Sequence, residues 1–164
     1  MALIITMALK IARFVNLALA GLLAGNEFGT WVAVHRSLWT LSTPEHIRAE
    51  QALTRRFKSI MPFWMSSVVG SCLPVLALTR GRDPSVFRFT LAGMLCLVGM
   101  IVSTLRGNMP INNRTLELSP EETPPEEWRQ LRERWDQLHT LRVLLNVTGL
   151  CLLYAGALRE EDRS

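Results

Sequence analysis

Four apolar stretches alternate with charged connections along the chain. Met61 to Thr79, Val86 to Leu105 and Leu138 to Leu158 carry few or no charges, and each is close to the roughly 20 residues that span a hydrocarbon core. The N-terminal stretch Met1 to Gly25 is equally apolar, but Lys10, Arg13 and Asn16 interrupt it where a signal peptide would be unbroken. No small-x-small cleavage site stands out behind it, so it reads as a retained first span. The pattern predicts an all-α chain, an integral membrane four-helix up-down bundle. One domain covers residues 1–164, with spans at about 3–25, 60–79, 86–105 and 138–158.

The polar connections carry helix-start signals. In Leu41-Ser-Thr-Pro44-Glu45 a hydroxyl residue precedes a proline and an acid, the order that caps a helix N-terminus and sets the acid against its dipole. Asp83-Pro84 repeats the signal for the third helix, and Thr123-Pro-Pro-Glu126 fits a capping box for the fourth, well ahead of its apolar part. Trp128, Leu131, Trp135, Leu138 and Arg142 then recur at spacings of three and four, which predicts an amphipathic helix packed against the extension of the second helix. The first helix is expected to run past Gly25 through Trp31 and Trp39. Between helices three and four, Asn108, Asn112 and Asn113 bracket Pro110, which reads as a helix exit with turn chemistry. An up-down bundle places connections one–two and three–four together, so the extensions form a polar head on one side.

Composition supports the membrane class: 49% of residues are hydrophobic and the mean hydropathy is +0.20. The net charge of +4 is spread over the connections. It forms no basic block with interleaved aromatics, so nucleic acid is not an expected partner, whereas anionic lipid is. Arg80, Arg82 and Arg88, with Arg159 and Arg163 in the tail, give cytoplasmic termini by the positive-inside rule, opposed by Arg36, Arg48, Arg55, Arg56 and Lys58 on the head side. Cys72, Cys96 and Cys151 lie one to a span without metal-ligand spacing, and read as small apolar residues.

Chemistry concentrates at the mouth of the fourth helix. Arg132, Trp135, His139 and Arg142 share one face, and an imidazole beside a fixed cation is favoured as a neutral base. Glu27, the sole acid of the first helical run, is a second candidate acid or base and a natural counter-ion for Arg142. The amides of Asn108, Asn112 and Asn113 can hold a developing oxyanion, with Trp135 and Trp128 as stacking walls. The structural alternatives are interfacial anchoring for the tryptophans, helix capping for the asparagines and a plain ion pair for Glu27. His46 and Glu50 at i, i+4, and Asp136 and His139 at i, i+3, make His35, His46, Glu50 and Asp136 conceivable metal ligands. Charged helix starts produce such spacings by chance, so no metal centre is expected from them.

The run Asn108-x-Pro110-x-Asn112, then Trp128, then Arg134-Trp135-x-x-x-His139-x-x-Arg142 ahead of a final apolar helix resembles the anthrone oxygenase-like family of small four-helix membrane proteins. Ala20-Gly-Leu-Leu-Ala-Gly25 is similar as well. The resemblance implies oxidation of polyketide anthrones to anthraquinones by molecular oxygen, without an evident organic cofactor. His139 or Glu27 would be the base, Asn108, Asn112 and Arg142 the oxyanion donors, and Trp135 a wall for a hydrophobic aromatic substrate arriving from the bilayer. Two other classes stay open at this point: a non-catalytic membrane protein binding a partner subunit or lipid, and a metal- or haem-dependent oxidoreductase with His35, His46 or His139 as ligands. A homo-oligomer is equally open.

Overall fold

The computed structural model describes residues 2–161; Arg163, one of the tail arginines in the orientation argument, lies outside them. Six α-helices, α1 (Ala2–Gly29), α2 (His35–Leu38), α3 (Thr43–Thr79), α4 (Pro84–Ser103), α5 (Met109–Glu117) and α6 (Pro125–Glu161), join into four rods. A π-helical segment, Thr30–Val34, links α1 to α2, and another, Thr104–Asn108, links α4 to α5. All four rods are long and apolar enough to cross a membrane. The described residues form no strand, and the molecule is an all-α integral membrane four-helix bundle.

The start signals work as expected at two junctions. Ser42 caps α3, with its own backbone N–H donating to Glu45 Oε2 at 3.1 Å, and Asp83 Oδ1 accepts from Ser85 N and Val86 N at 3.0 Å each. At the third, α6 begins at Pro125, but the Thr123 hydroxyl donates backward to the Ser119 carbonyl at 2.6 Å.

The segment after Leu105 departs from the expected exit turn: the helix continues to Glu117. Pro110 has no N–H and its ring clashes with the carbonyl four residues back, so an α-helix cannot run through it unperturbed. The wider turn at Thr104–Asn108 inserts the extra residue that absorbs this defect. The same turn carries Gly107 against α6, where a Cβ would come within 2.9 Å of Leu138 Cδ2.

Packing runs around a ring in which α1 and α4 each touch α3 and α6. The α4–α6 seam is the tightest. A Cβ on Gly93 would sit 3.0 Å from the Gly149 carbonyl oxygen, and one on Gly156 3.0 Å from Phe89 Cβ. Without lipid-excluding hydrophobic attraction between helices, close backbone approach of this kind holds membrane bundles together. The apolar core includes Leu23, Met61, Met65, Val68, Leu97 and Met100, while Phe14, Phe63 and Leu73 point outward from the spans. A smaller core in the head gathers Ile47, Leu118 and Trp128. Trp128 packs on α3 as expected, but Trp135 turns to the first rod, its ring 4.5 Å from that of His35.

Candidate active site

A cavity of about 230 Å³ lies between all four rods where the apolar bundle meets the head, just under the usual range of about 300–1,000 Å³ for small-molecule pockets. One end is apolar, walled by Phe57, Met61, Met65 and Ile101. The other is polar, lined by Glu27, His35, Glu50, Asn112, His139 and Arg142, with Trp135 between. Four lining residues, Lys58, Pro62, Ser66 and Leu105, are solvent- or lipid-exposed, so the cavity opens sideways between α3 and the rod of α4 and α5. Lys58 Nζ donates to Asn113 Oδ1 at 2.8 Å across the top of that opening.

At the polar end, Arg142 Nη2 donates to Glu27 Oε1, and Glu27 Oε2 stands 3.5 Å from His139 Nδ1. Glu27 is 1% exposed. A carboxylate so deep is tolerable because a guanidinium partner is present. Its place beside Nδ1 favours the tautomer with the proton on that nitrogen, leaving the lone pair on Nε2. Both His139 ring nitrogens, Glu27 Oε2 and Arg142 Nε are buried without a hydrogen-bond partner. Unsatisfied polar atoms at a cavity wall are groups waiting for a ligand or water.

The imidazole is held in place by stacking. Trp135 lies against His139 with ring centroids 4.7 Å apart and planes at 23°, and the Arg132 guanidinium covers Trp135 at 4.2 Å from its centroid. Trp135 Nε1 donates to Asn112 Oδ1 at 2.7 Å. An indole nitrogen can only donate, which fixes the amide orientation and leaves the Asn112 NH₂ group as a donor for the cavity.

A second buried network adjoins the first. His35 Nδ1 is 3.0 Å from Glu50 Oε1, and Arg132 Nη2 reaches Glu50 Oε1 at 2.8 Å and His35 Nδ1 at 3.2 Å. His46 Nε2 is 3.7 Å from the same Glu50 oxygen, its ring set edge-on to Trp39 and Trp128. Asp136 accepts from Trp39 Nε1 at 3.0 Å and pairs with Arg132 at 3.5 Å.

The structure thus brings Glu27, Asn112, Trp135, His139 and Arg142 together around one cavity. Asn108 is fully buried behind it, its Nδ2 donating to the Trp135 carbonyl at 3.3 Å, so it supports Trp135 rather than lining the wall. Asn113 is exposed and bonded to Lys58, and Trp128 sits in the head core; neither lines the cavity. Of the conceivable metal ligands, His35, His46 and Glu50 cluster, but Arg132 occupies the carboxylate they share, and no group of three or more His, Cys, Asp or Glu among the described residues has metal-binding geometry. His35 and Glu50 as cavity-wall residues, and the apolar wall from α3, escaped the sequence reading. The i, i+4 spacing of His46 and Glu50 pointed to that region without saying which cavity it faced.

Neither a curated protein nor a solved structure matches the chain. A family model does, over residues 51–152, and its description is anthrone oxygenase. That match covers most of α3, all of α4 and α5 and most of α6, the elements that carry Asn112, Trp135, His139 and Arg142, and the chain belongs to the anthrone oxygenase family.

Proposed function

We propose that this protein is a membrane-embedded oxygenase acting on a hydrophobic aromatic ketone of the anthrone type, by base-assisted reaction with molecular oxygen. The observation that carries the reading is that the polar end of an otherwise apolar cavity is lined by His139, both of whose ring nitrogens are buried without a partner, by Arg142 with its Nε unpartnered, and by Asn112, whose NH₂ is left over once Trp135 has taken its oxygen. An anthrone methylene is acidic because its carbanion delocalises onto the carbonyl oxygen. His139 Nε2 removes that proton, and Arg142 and Asn112 hold the oxyanion that forms. Dioxygen, itself apolar, meets the electron-rich carbon at the apolar end. Glu27 orients the imidazole and carries the counter-charge for Arg142, a positioning role rather than that of a free base. Trp135 keeps His139 upright and supplies a flat wall for the rings. The lateral opening at Pro62, Ser66 and Leu105 suits a substrate that partitions from the bilayer.

The test is oxygen consumption and anthraquinone absorbance with purified protein in lipid nanodiscs and anthrone as probe. Turnover above the spontaneous rate is expected, falling by about 10² to 10⁴ in His139→Ala with insertion intact. No oxygen uptake above background by the wild-type protein would refute the reading.

A further inference from the structure

Two buried charge clusters meet at the edge contact between His35 and His139, whose ring centroids are 5.2 Å apart, and they balance differently. On the His139 side, Glu27 and Arg142 cancel, so that side is neutral when the imidazole is neutral. On the His35 side, Glu50 and Asp136 set two negative charges against the single guanidinium of Arg132. Glu50 is 2% exposed, and Asp136 is partly solvated. Glu50 and Arg132, the fully buried pair, cancel, and the second carboxylate of the cluster, Asp136, meets solvent, so Glu50 is the carboxylate that faces an imidazole out of water. His35 is nearer to Glu50 than His46 is, at 3.0 Å against 3.7 Å, and of the two only His35 lines the cavity. An Nδ1–H that donates to Glu50 Oε1 cannot also accept from Arg132 Nη2, which lies 3.2 Å away; with Nδ1 given to Glu50, Nε2 is the nitrogen left over.

We propose that His35 is a catalytic acid, the partner of the base His139 in the second half of the oxygenation; this rests on the oxygenase reading above. Converting a methylene to a ketone removes two C–H protons from one carbon. In the first half, His139 takes one of them, dioxygen adds to the carbanion, and the resulting peroxide anion takes the proton back to give a hydroperoxide. His139 is then neutral again. In the second half, His139 takes the remaining C–H proton, the C–H electron pair becomes the π bond of the new C=O, and the O–O bond breaks. Its electron pair leaves on hydroxide, which takes the Nε2 proton of His35 and departs as water. One base and one acid must act together, and one imidazole cannot be both. The cycle closes when the proton on His139 passes to His35 across their ring contact, so methylene and dioxygen are consumed and ketone and water are released with no net proton change.

The experiment separates the two halves. Protein in nanodiscs is loaded with anthrone without oxygen and mixed with oxygenated buffer, while oxygen consumption, hydroperoxide (trapped with a phosphine as the alcohol) and anthraquinone are followed in a single turnover. His35→Gln is expected to consume oxygen at close to the wild-type rate, accumulate hydroperoxide and form anthraquinone about 10²-fold more slowly, whereas His139→Gln loses the oxygen uptake itself. A purely structural role for His35 would slow both halves alike. Equal slowing, or anthraquinone formation at the wild-type rate, overturns the assignment. Should His35→Gln fail to insert, Glu50→Gln, close in shape but without the charge that supports the His35 proton, is expected to show the same accumulation, and its absence overturns the assignment equally. Wild-type protein that consumes no oxygen refutes the oxygenase reading itself, a result distinct from either variant outcome.

Discussion

Replacing Glu27 by Gln isolates what the buried ion pair does for stability and for the site. Glu27 and Arg142 are 1% and 7% exposed, on α1 and α6 respectively, and the guanidinium donates directly to the carboxylate. Removing one charge from such a pair leaves the other uncompensated, which costs about 3–5 kcal/mol. At about 2–4 °C of melting temperature per kcal/mol for a chain of this size, the Glu27→Gln variant should melt about 6–20 °C lower in detergent. Arg142 borders a cavity that admits water, so the lower half of that range is expected. The double variant Glu27→Gln, Arg142→Gln removes both charges and should recover most of the loss, giving a favourable coupling energy in a double-mutant cycle. Activity should behave oppositely. Both single variants and the double should be slow, because His139 loses the group beside Nδ1 and the oxyanion loses a donor. A Glu27→Gln protein as stable as wild type, or a double variant less stable than both singles, would refute the argument.

Asn112→Leu should lower turnover by about 10²–10³, the usual cost of one oxyanion donor, and leave the pH profile unchanged because no titrating group is lost; steady-state rates across pH check this. Gly93→Ala meets the Gly149 carbonyl at 3.0 Å, a backbone atom that cannot swing aside, and should destabilise by about 1–3 kcal/mol in a detergent melt. Gly107→Ala meets only the tip of the Leu138 side chain and should cost less in the same assay. Cysteines placed at positions 45 and 122, in a background lacking the three native ones, should react from the same side of sealed vesicles with an impermeant maleimide. Opposite reactivity would contradict the side-by-side placement that Arg48 and Glu121 share through their ion pair.

The rods were legible because each apolar run matches a bilayer and two of the starts, at Ser42 and Asp83, carry a capping residue followed by proline. The extra turn at Thr104–Asn108 was not, since a one-residue insertion leaves apolar spacing almost unchanged and Asn-Met-Pro reads locally as a turn. In the site, charge made Glu27, His139 and Arg142 legible: lipid gives such groups nowhere to point but inward. His35 and Glu50 were harder. They are 15 residues apart across the corner between α2 and α3, and no helical spacing rule links positions on two rods. The apolar wall of Phe57, Met61 and Met65 was illegible for another reason, because residues facing lipid, core and cavity are the same types in a membrane helix. Asn113 misled because three amides within six positions look equivalent until the helix turns one of them outward to Lys58.

The placement of charge along α6 ties the fold to the chemistry. Arg132, Trp135, His139 and Arg142 occupy one stripe, and the two arginines, ten positions apart, each hold a carboxylate from a different rod: Glu50 from α3 and Glu27 from α1. Each histidine near those acids therefore sits in its own electrostatic setting, though the rings nearly touch. A solvent-exposed pair contributes little because water screens it. At the membrane edge the helices exclude that water, and the same ion pairs that lock α6 to its neighbours flank the two imidazoles. Stability and the proposed acid–base division therefore rest on the same four side chains, Glu27, Glu50, Arg132 and Arg142. Losing any one of them is expected to lower the melting temperature; losing Glu50 should also shift the partition toward hydroperoxide, losing Glu27 or Arg142 should slow oxygen uptake itself, and a variant of the apolar wall such as Met65→Leu should do neither.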